Sequence, residues 1–454
     1  FGTTNPVATI TGAAGGTFSA TGGLTIDANT GEIDLSTATA GNYQVTYPPA
    51  SNWQQIGQDI DGVYSGQSIG HSVSLSDDGS KIIIGTYEKN EIAVFENINN
   101  SWIPVGGDIY GNTFINDASN TSFGHSVSIS NDGSIIAVGA NNGEFVKIFE
   151  LNGSSWVQKG QTLSPANPSA TGYGQCVVLS NDGTEIIISA RYAGYSQVFE
   201  FNGTQWIQKG TDIICESSDD QPCGVTMSQD GARIAVGAIA NDGNGTSSGH
   251  VRVFEWNGTS WNQIGQDIDG SNQFLNFGYS VSMSDDGNRF IAGDLNYGGA
   301  QVFEWNGTSW NQIGNDLQKE LLGATDVSIS GDGLIITVEG KTNNGYVNSY
   351  QYINNNWVQF GTTINGVSSL DNNNSNSSAV SKNGNTIAFG EMNANSYRGI
   401  VRVFSTPVNT SCPLPLDITI HAAPTIDLGA DTTLICDGTS ETLDAGTGFT
   451  SYLW

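Results

Sequence analysis

Seven copies of one strand pattern, spaced 46 to 56 residues apart, make the middle of this chain an all-β structure, and two repeat landmarks that run out of phase give it its closure. Together they predict a seven-bladed β-propeller flanked by an N-terminal and a C-terminal β-sandwich module, the C-terminal one incomplete. The expected divisions are residues 1–50, 51–408 and 409–454, the last a linker or terminal strand followed by the partial module.

The clearest copy runs from Phe277 to Leu317. In "YSVSMS", Val281 and Met283 alternate with Ser280, Ser282 and Ser284, the period of a strand. Asp285-Asp286-Gly287 is a tight turn, and "RFIAG" and "AQVFEW" read as second and third strands. Asn306-Gly307 is a strong hairpin signal, after which "TSWNQIG" returns as the fourth strand. One such sheet cannot bury both faces alone, so the copies must stack.

The turn glycine recurs as Gly79, Gly133, Gly183, Gly231, Gly287, Gly333 and Gly384. The fourth-strand tryptophan recurs as Trp53, Trp102, Trp156, Trp206, Trp261, Trp310 and Trp357. Trp53 precedes the first turn glycine, and no tryptophan follows the last one before the repeats end near Val408. "NWQQIGQDI" (Asn52 to Ile60) is therefore expected to supply the outer strand of the last blade, beside "IVRVF". Each tryptophan is expected to be buried between neighbouring sheets.

Outside the repeats, residues 1–50 alternate apolar and small polar residues without helical periodicity, which predicts a small sandwich ended by the stiff Pro48-Pro49. The absence of an initiating Met, with Phe1 and Trp454 as ends, suggests a piece cut from a longer polypeptide.

The chain carries 44 acidic against 14 basic residues, a net charge of -30. Such a surface repels phosphate backbones and anionic membranes, so nucleic acid is not an expected partner. No apolar run approaches the ~20 residues of a membrane helix. The acidity fits either a solvated extracellular surface or cation binding. Six residues after the tryptophan, five copies place an acid: Asp59, Asp108, Asp212, Asp267 and Asp316. These cap either their own turns or a ring of carboxylates that attracts cations or basic ligands. The Ala238–His250 insertion, which carries Asp242, belongs to the same face, and exposed loops on a rigid scaffold are where recognition usually resides.

"FGHSVSIS" (Phe123 to Ser130) followed by "AVGA" (Ala137 to Ala140) resembles the FG-GAP repeat of integrin α-subunit propellers and many bacterial surface proteins. Calcium-binding copies of that family carry a D-x-D-x-D-G loop between the first two strands. Here the turns are as short as "SDDGS" and "SNDGT", too short to wrap a hard cation, so the family's metal site does not carry over. The expectation is no cofactor and no metal centre, with at most weakly held Ca2+ on the acidic loops. The segment "PTIDLGADTTLICDGTSETLDAGTGFTSYLW" resembles immunoglobulin-like modules of large proteins exported by the type IX secretion system, and the opening segment looks like a repeated module of the same proteins. The resemblance implies an extracellular or cell-surface location, a glycan or protein ligand, and contact with secretion machinery through a C-terminal region not present in this sequence.

Among the cysteines, Cys215 and Cys223 bracket "ESSDDQP" and are expected to form a disulfide in an oxidising compartment; two free thiols are the alternative. Cys176 stands where other copies have serine, which predicts a small buried residue. Cys412 and Cys436 either pair with each other or leave Cys436 to a partner beyond residue 454. His71 and His125 share a repeat position and are expected to pack near the channel. The sequons at Asn152, Asn202, Asn257 and Asn306 coincide with hairpin turns and are read as turn chemistry. No catalytic motif is present. The expectation is a non-enzymatic adhesion, ligand-binding or display module, the alternative being a polysaccharide lyase or glycosidase at the channel mouth.

Overall fold

The computed structural model describes residues 53–406 apart from 87–88, 107–120, 167–170, 218–219, 297–298, 318–323, 341–344, 354 and 368–376. It also describes 19–27, 32–34, 36, 38–39, 41–46 and the strand 416–420. The chain divides into two units, one of 50–409 and one of 1–49 with 410–454.

In the larger unit, seven antiparallel sheets follow one another as blades I to VII. Their first strands are Ile69–Leu75, Phe123–Ile129, Tyr173–Leu179, Pro222–Met227, Phe277–Met283, Ala324–Ile329 and Ser377–Val380. In blade V the strands Phe277–Met283, Arg289–Asp294, Ala300–Trp305 and Trp310–Gln312 lie in sequence order, as the repeat pattern predicts. Blade VII closes the ring: Gln54–Gln55 and Ile60–Asp61 both pair with Ile400–Ser405, with Gln55 opposite Phe404 and Ile60 opposite Val401. Among the described residues, no helix is long and apolar enough to cross a membrane.

Three kinds of contact recur at the boundaries between blades. On the outside, the tryptophan indole N–H donates to a backbone carbonyl of the preceding blade: Trp102 to Ile56 (2.9 Å), Trp206 to Lys159 (2.8 Å), Trp310 to Ile264 (3.1 Å). Trp53 repeats this across the closure, donating to Ser349 Oγ at 2.7 Å. Six of the seven tryptophans are buried as expected; Trp261 is half-buried.

Near the middle, the two glycines of the repeat explain each other. A Cβ on Gly139 would lie 2.2 Å from the carbonyl oxygen of Gly174, and one on Gly237 would lie 2.1 Å from that of Gly278. The glycine of the "FG" pair in one blade thus meets the second-strand glycine of the blade before it, backbone against backbone. Where blade IV begins Pro222-Cys223, the facing position in blade III is Ser189, so both members change together.

Along the channel, each first strand is a sheet edge whose outward N–H groups need partners. Serine supplies them. Ser126 Oγ accepts from Val177 N–H (3.0 Å), Ser128 from Leu179 (3.0 Å), Ser282 from Ile329 (3.2 Å) and Ser328 from Val380 (3.2 Å). At the end of the channel carrying the short turns, backbone N–H groups donate from blade to blade without a break. Asp77 bonds to Asn131, Asn131 to Asn181, Asn181 to Gln229, Gln229 to Asp285, Asp285 to Gly331, Gly331 to Lys382, and Asn383 back to Asp77.

In the smaller unit, Ser19–Ala20, Gly41–Thr46 and Leu416–Ile420 make one three-stranded antiparallel sheet. Leu24, Ile33, Tyr43 and Val45 form its core. The sequence reading places 416–420 in a linker or terminal strand after the repeats; the strand there pairs with Gly41–Thr46 of the N-terminal segment. Cys412, Cys436 and most of the C-terminal segment lie outside the described residues.

Candidate functional site

The first strands enclose a channel of about 720 Å³. His71, His125, Gln175, Cys176, Cys223, Tyr279 and Asp326 line it. His71 Nε2 lies 3.2 Å from His125 Nδ1, so one ring donates to the other. Depth in the channel lowers the His71 pKa to about 4. The same depth, with the His71 charge beside it, lowers His125 to about 3, so both rings are neutral near pH 7. Burial pushes the Cys176 thiol and the Tyr279 hydroxyl up, out of reach of ionisation at neutral pH. A thiol held protonated is a poor nucleophile.

Asp326 stands where other copies have serine and does the same work. Its carboxylate accepts from Ser378 N–H (2.9 Å), Ser280 Oγ (2.8 Å) and Val327 N–H (3.0 Å). Depth in the channel raises its pKa to about 6 against these hydrogen bonds. Among the described lining residues it is the one carboxylate, where glycoside hydrolysis ordinarily uses a pair. The raised pKa has a sign that can be checked. Between pH 3.8 and about 6 the folded chain holds a proton that the unfolded chain releases, so Asp326 makes stability fall as pH rises through that window. The lowered histidines act the other way, which makes comparison with Asp326→Asn necessary. Urea unfolding at pH 4 and pH 7 is expected to show wild type losing stability relative to that variant as pH rises; parallel profiles would refute the assignment.

The loops between second and third strands, and those leading to the next blade, share the opposite face from the short turns. There the acids of the repeat are clipped by glutamine. Gln55 Nε2 donates to Asp59 (2.6 Å), and Gln263 Nε2 to Asp267 (2.6 Å). Gln197 and Gln208 both donate to Asp212 at 2.8 Å, and Gln301 and Gln312 to Asp316 at 2.8 and 2.6 Å. Each acid therefore caps its own blade near the outer strand, and these four sit apart in four different blades. Asp108 lies outside the described residues. On the turn face, burial opposes ionisation of Asp78, Asp132 and Asp286. Hydrogen bonds from neighbouring N–H and hydroxyl groups nevertheless hold their pKa values low.

The insertion expected at Ala238–His250 spans 239–249 between Arg233–Ala238 and His250–Trp256. It is held from inside. Ser248 Oγ donates to Asn241 O at 3.2 Å, and Asn241 Nδ2 reaches Asp220 Oδ2 at 3.4 Å. Asp242 is exposed at the tip and accepts from Ser247 N–H at 2.8 Å. Beside it, Phe274 N–H donates to Thr246 O (2.8 Å), and Phe274 O accepts from Asn296 Nδ2 (2.6 Å). This clamp holds Phe274 at φ +63° with its residue surface 52% exposed. Tyr397 is handled alike: φ is +64°, its carbonyl accepts from Gly66 and Ser68 N–H, and it is exposed. Tyr64 and Tyr192 are also exposed on this face. Non-glycine residues resist the left-handed region, and bulky ones do so most. Eleven of the 14 described non-glycine residues there belong to this face, which marks it as the strained one.

Sequence reasoning missed Phe274, Tyr397, Glu216 and His250. His250 is buried, and burial together with Arg252 lowers its pKa despite nearby Asp267, Glu216 and Asp220. The expected Cys215–Cys223 disulfide is absent: both thiols are free and buried. Strand alternation turns Cys223 into the channel beside Cys176, whereas Cys215 is tied by its N–H to Gly194 O on the blade III side. The sequons do act as turns: Asn306 Oδ1 accepts from Thr308 N–H, Thr308 Oγ1 and Ser309 N–H, each at 2.9 Å.

No protein-family model and no curated protein sequence matches the chain. Among solved structures, a chain of Kuenenia stuttgartiensis hydrazine synthase is similar, with a TM-score of 0.52 and 13% identity. The match covers 78% of this chain and 99% of that one. That protein is by name an enzyme, so the likeness lends no support to the expectation of a chain without catalysis; at this identity it bears on fold alone. What the repeats, the strand pairings and this likeness jointly show is a seven-bladed β-propeller.

Proposed function

We propose that this propeller is a ligand-binding module of an extracellular or cell-surface protein, of FG-GAP type, and that it engages a glycan through the loop face around Phe274 and Asp242. The observation that carries the reading is the display of aromatic rings on clamped, left-handed backbones on one face only. The other face is consumed by its own turn hydrogen bonds. Aromatic rings pack on the C–H faces of sugars, and neighbouring carboxylates and amides pair with hydroxyl groups. The net charge of -30 favours a neutral or cationic ligand over a polyanion. The glycine pairs across the blade interfaces support the FG-GAP assignment; the surface location and type IX export rest on the resemblance of the flanking segments alone.

A glycan array and a cell-binding assay on the purified chain test this. Phe274→Ala and Tyr397→Ala are each expected to weaken binding by about tenfold, the loss typical of a displayed aromatic anchor. Asn substitution at Asp59, Asp108, Asp212, Asp267 and Asp316 together is expected to weaken a cationic ligand, less so at high salt. Asn at Asp78, Asp132 and Asp286 should leave binding unchanged. Cleavage of a polysaccharide, abolished by a single substitution, would replace this reading with an enzyme.

A further inference from the structure

Three segments around blade IV converge on one buried histidine: the connection that enters the blade (Glu216), the start of its third strand (His250) and the turn that leaves it (Asp267 to Asp269). We propose that they form a site for one divalent transition-metal ion of the zinc type, ligated by His250, Glu216 and the Asp267/Asp269 pair.

The histidine carries the argument. Its side chain is 1% exposed, and neither ring nitrogen has a hydrogen-bond partner. An imidazole so enclosed leaves a lone pair and an N–H both unsatisfied, a cost that native structures rarely leave unmet. Nδ1 is aimed at carboxylates, 3.9 Å from Asp269 Oδ1 and 4.0 Å from Glu216 Oε2. Ligand atoms of His250, Glu216 and Asp267 all lie within 4.8 Å of one another.

These separations are too long for hydrogen bonds and close to those a metal imposes. Bonds of about 2.1 Å at a tetrahedral angle set ligand atoms roughly 3.4 Å apart. The ligand atoms would have to draw closer on binding, and Glu216, whose side chain is 51% exposed, has room to move. Side-chain amides also contact two of these carboxylates. Asn241 Nδ2 reaches Glu216 Oε2 at 3.3 Å, and Gln263 Nε2 bonds Asp267 Oδ1 at 2.6 Å, the outer support that oriented metal ligands have.

The donor set chooses the ion. One imidazole nitrogen with two or three carboxylates suits zinc and its neighbours. It offers too few oxygens for calcium, which takes six to eight. The site is also remote from the short turns between first and second strands, on the opposite face. Bound metal would tie the insertion's end to both flanking connections and leave the Glu216 side open to solvent for a further ligand.

Untagged, chelator-treated full chain, titrated with ZnCl2 and with CaCl2 by calorimetry, tests the site. The expected result is one zinc per chain, not displaced by a hundredfold excess of calcium, with X-ray absorption at the zinc edge showing mixed nitrogen and oxygen ligation. His250→Gln and Glu216→Gln should each weaken zinc by more than about tenfold. Glu216 is exposed, so its variant is expected to melt like wild type, which separates loss of the site from loss of the fold. Absence of stoichiometric zinc, undiminished binding in His250→Gln, or displacement by calcium would each overturn the proposal.

Discussion

Deletion of residues 1–60 is expected to abolish the stable propeller, whereas deletion of 1–50 leaves it folded. The ten residues between these cuts hold both sides of the closure. Gln54 and Gln55 pair with blade VII, and Trp53 inserts its ring edge-on against Phe360 at 5.7 Å in blade VI. Ile60 is buried between blades VII and I with Val401 and Ile82. Gln58 reaches the other way, exchanging hydrogen bonds with the backbone of Trp102 in blade I at 2.9 and 3.1 Å. Losing one buried tryptophan and one buried isoleucine costs on the order of 5 kcal/mol or more, comparable with the whole stability of an ordinary domain. Thermal and urea unfolding of the two truncations decides it. Equal midpoints would mean that the ring does not depend on the N-terminal strand.

Trp310→Ala is expected to destabilise the chain by about 3–5 kcal/mol, the range for large aromatic truncations in cores. Its ring is 2% exposed, lies edge-on to Phe290 at 5.0 Å, and packs against Trp305 at 5.2 Å. Trp261→Ala makes the internal control. That residue has the same repeat position and the same indole hydrogen bond, to Lys209 O at 2.9 Å, but it is only half-buried. It should therefore cost distinctly less. If both variants unfold at the same urea concentration, burial between sheets is not what the tryptophans contribute.

The propeller was legible because its forces are periodic. Strand alternation, turn glycines and tryptophans recur once per blade, and their phase difference is a direct record of how the ring closes. The glycine pairs were half legible: each glycine stands out in the repeat, but only packing shows that one faces the other. The acids of the repeat illustrate the opposite case. Their recurrence is real, yet the glutamine four residues earlier, present in each described copy from Gln55 to Gln312, turns it toward local capping. Phe274 and Tyr397 were illegible because nothing local favours a left-handed aromatic residue; the clamp comes from Thr246 and Asn296 in one case and from Gly66 and Ser68 in the other. His250 was illegible for a related reason. A histidine opening a strand carries no spacing signal, and its burial is decided by a connection and a turn that lie on either side of it.

The seven backbone hydrogen bonds at the turn end of the channel form a circuit with no first or last member. A linear stack of repeats can fray from its termini, because each unit depends only on its neighbours. A closed circuit has no terminus from which to fray. The amides of Asp77, Asn131, Asn181, Gln229, Asp285, Gly331 and Asn383 lie at turn positions, where solvent exchange of protons is ordinarily fast. In this chain they should exchange slowly and at one common rate, that of whole-ring opening, and Trp53→Ala should accelerate all seven together although it touches none of them.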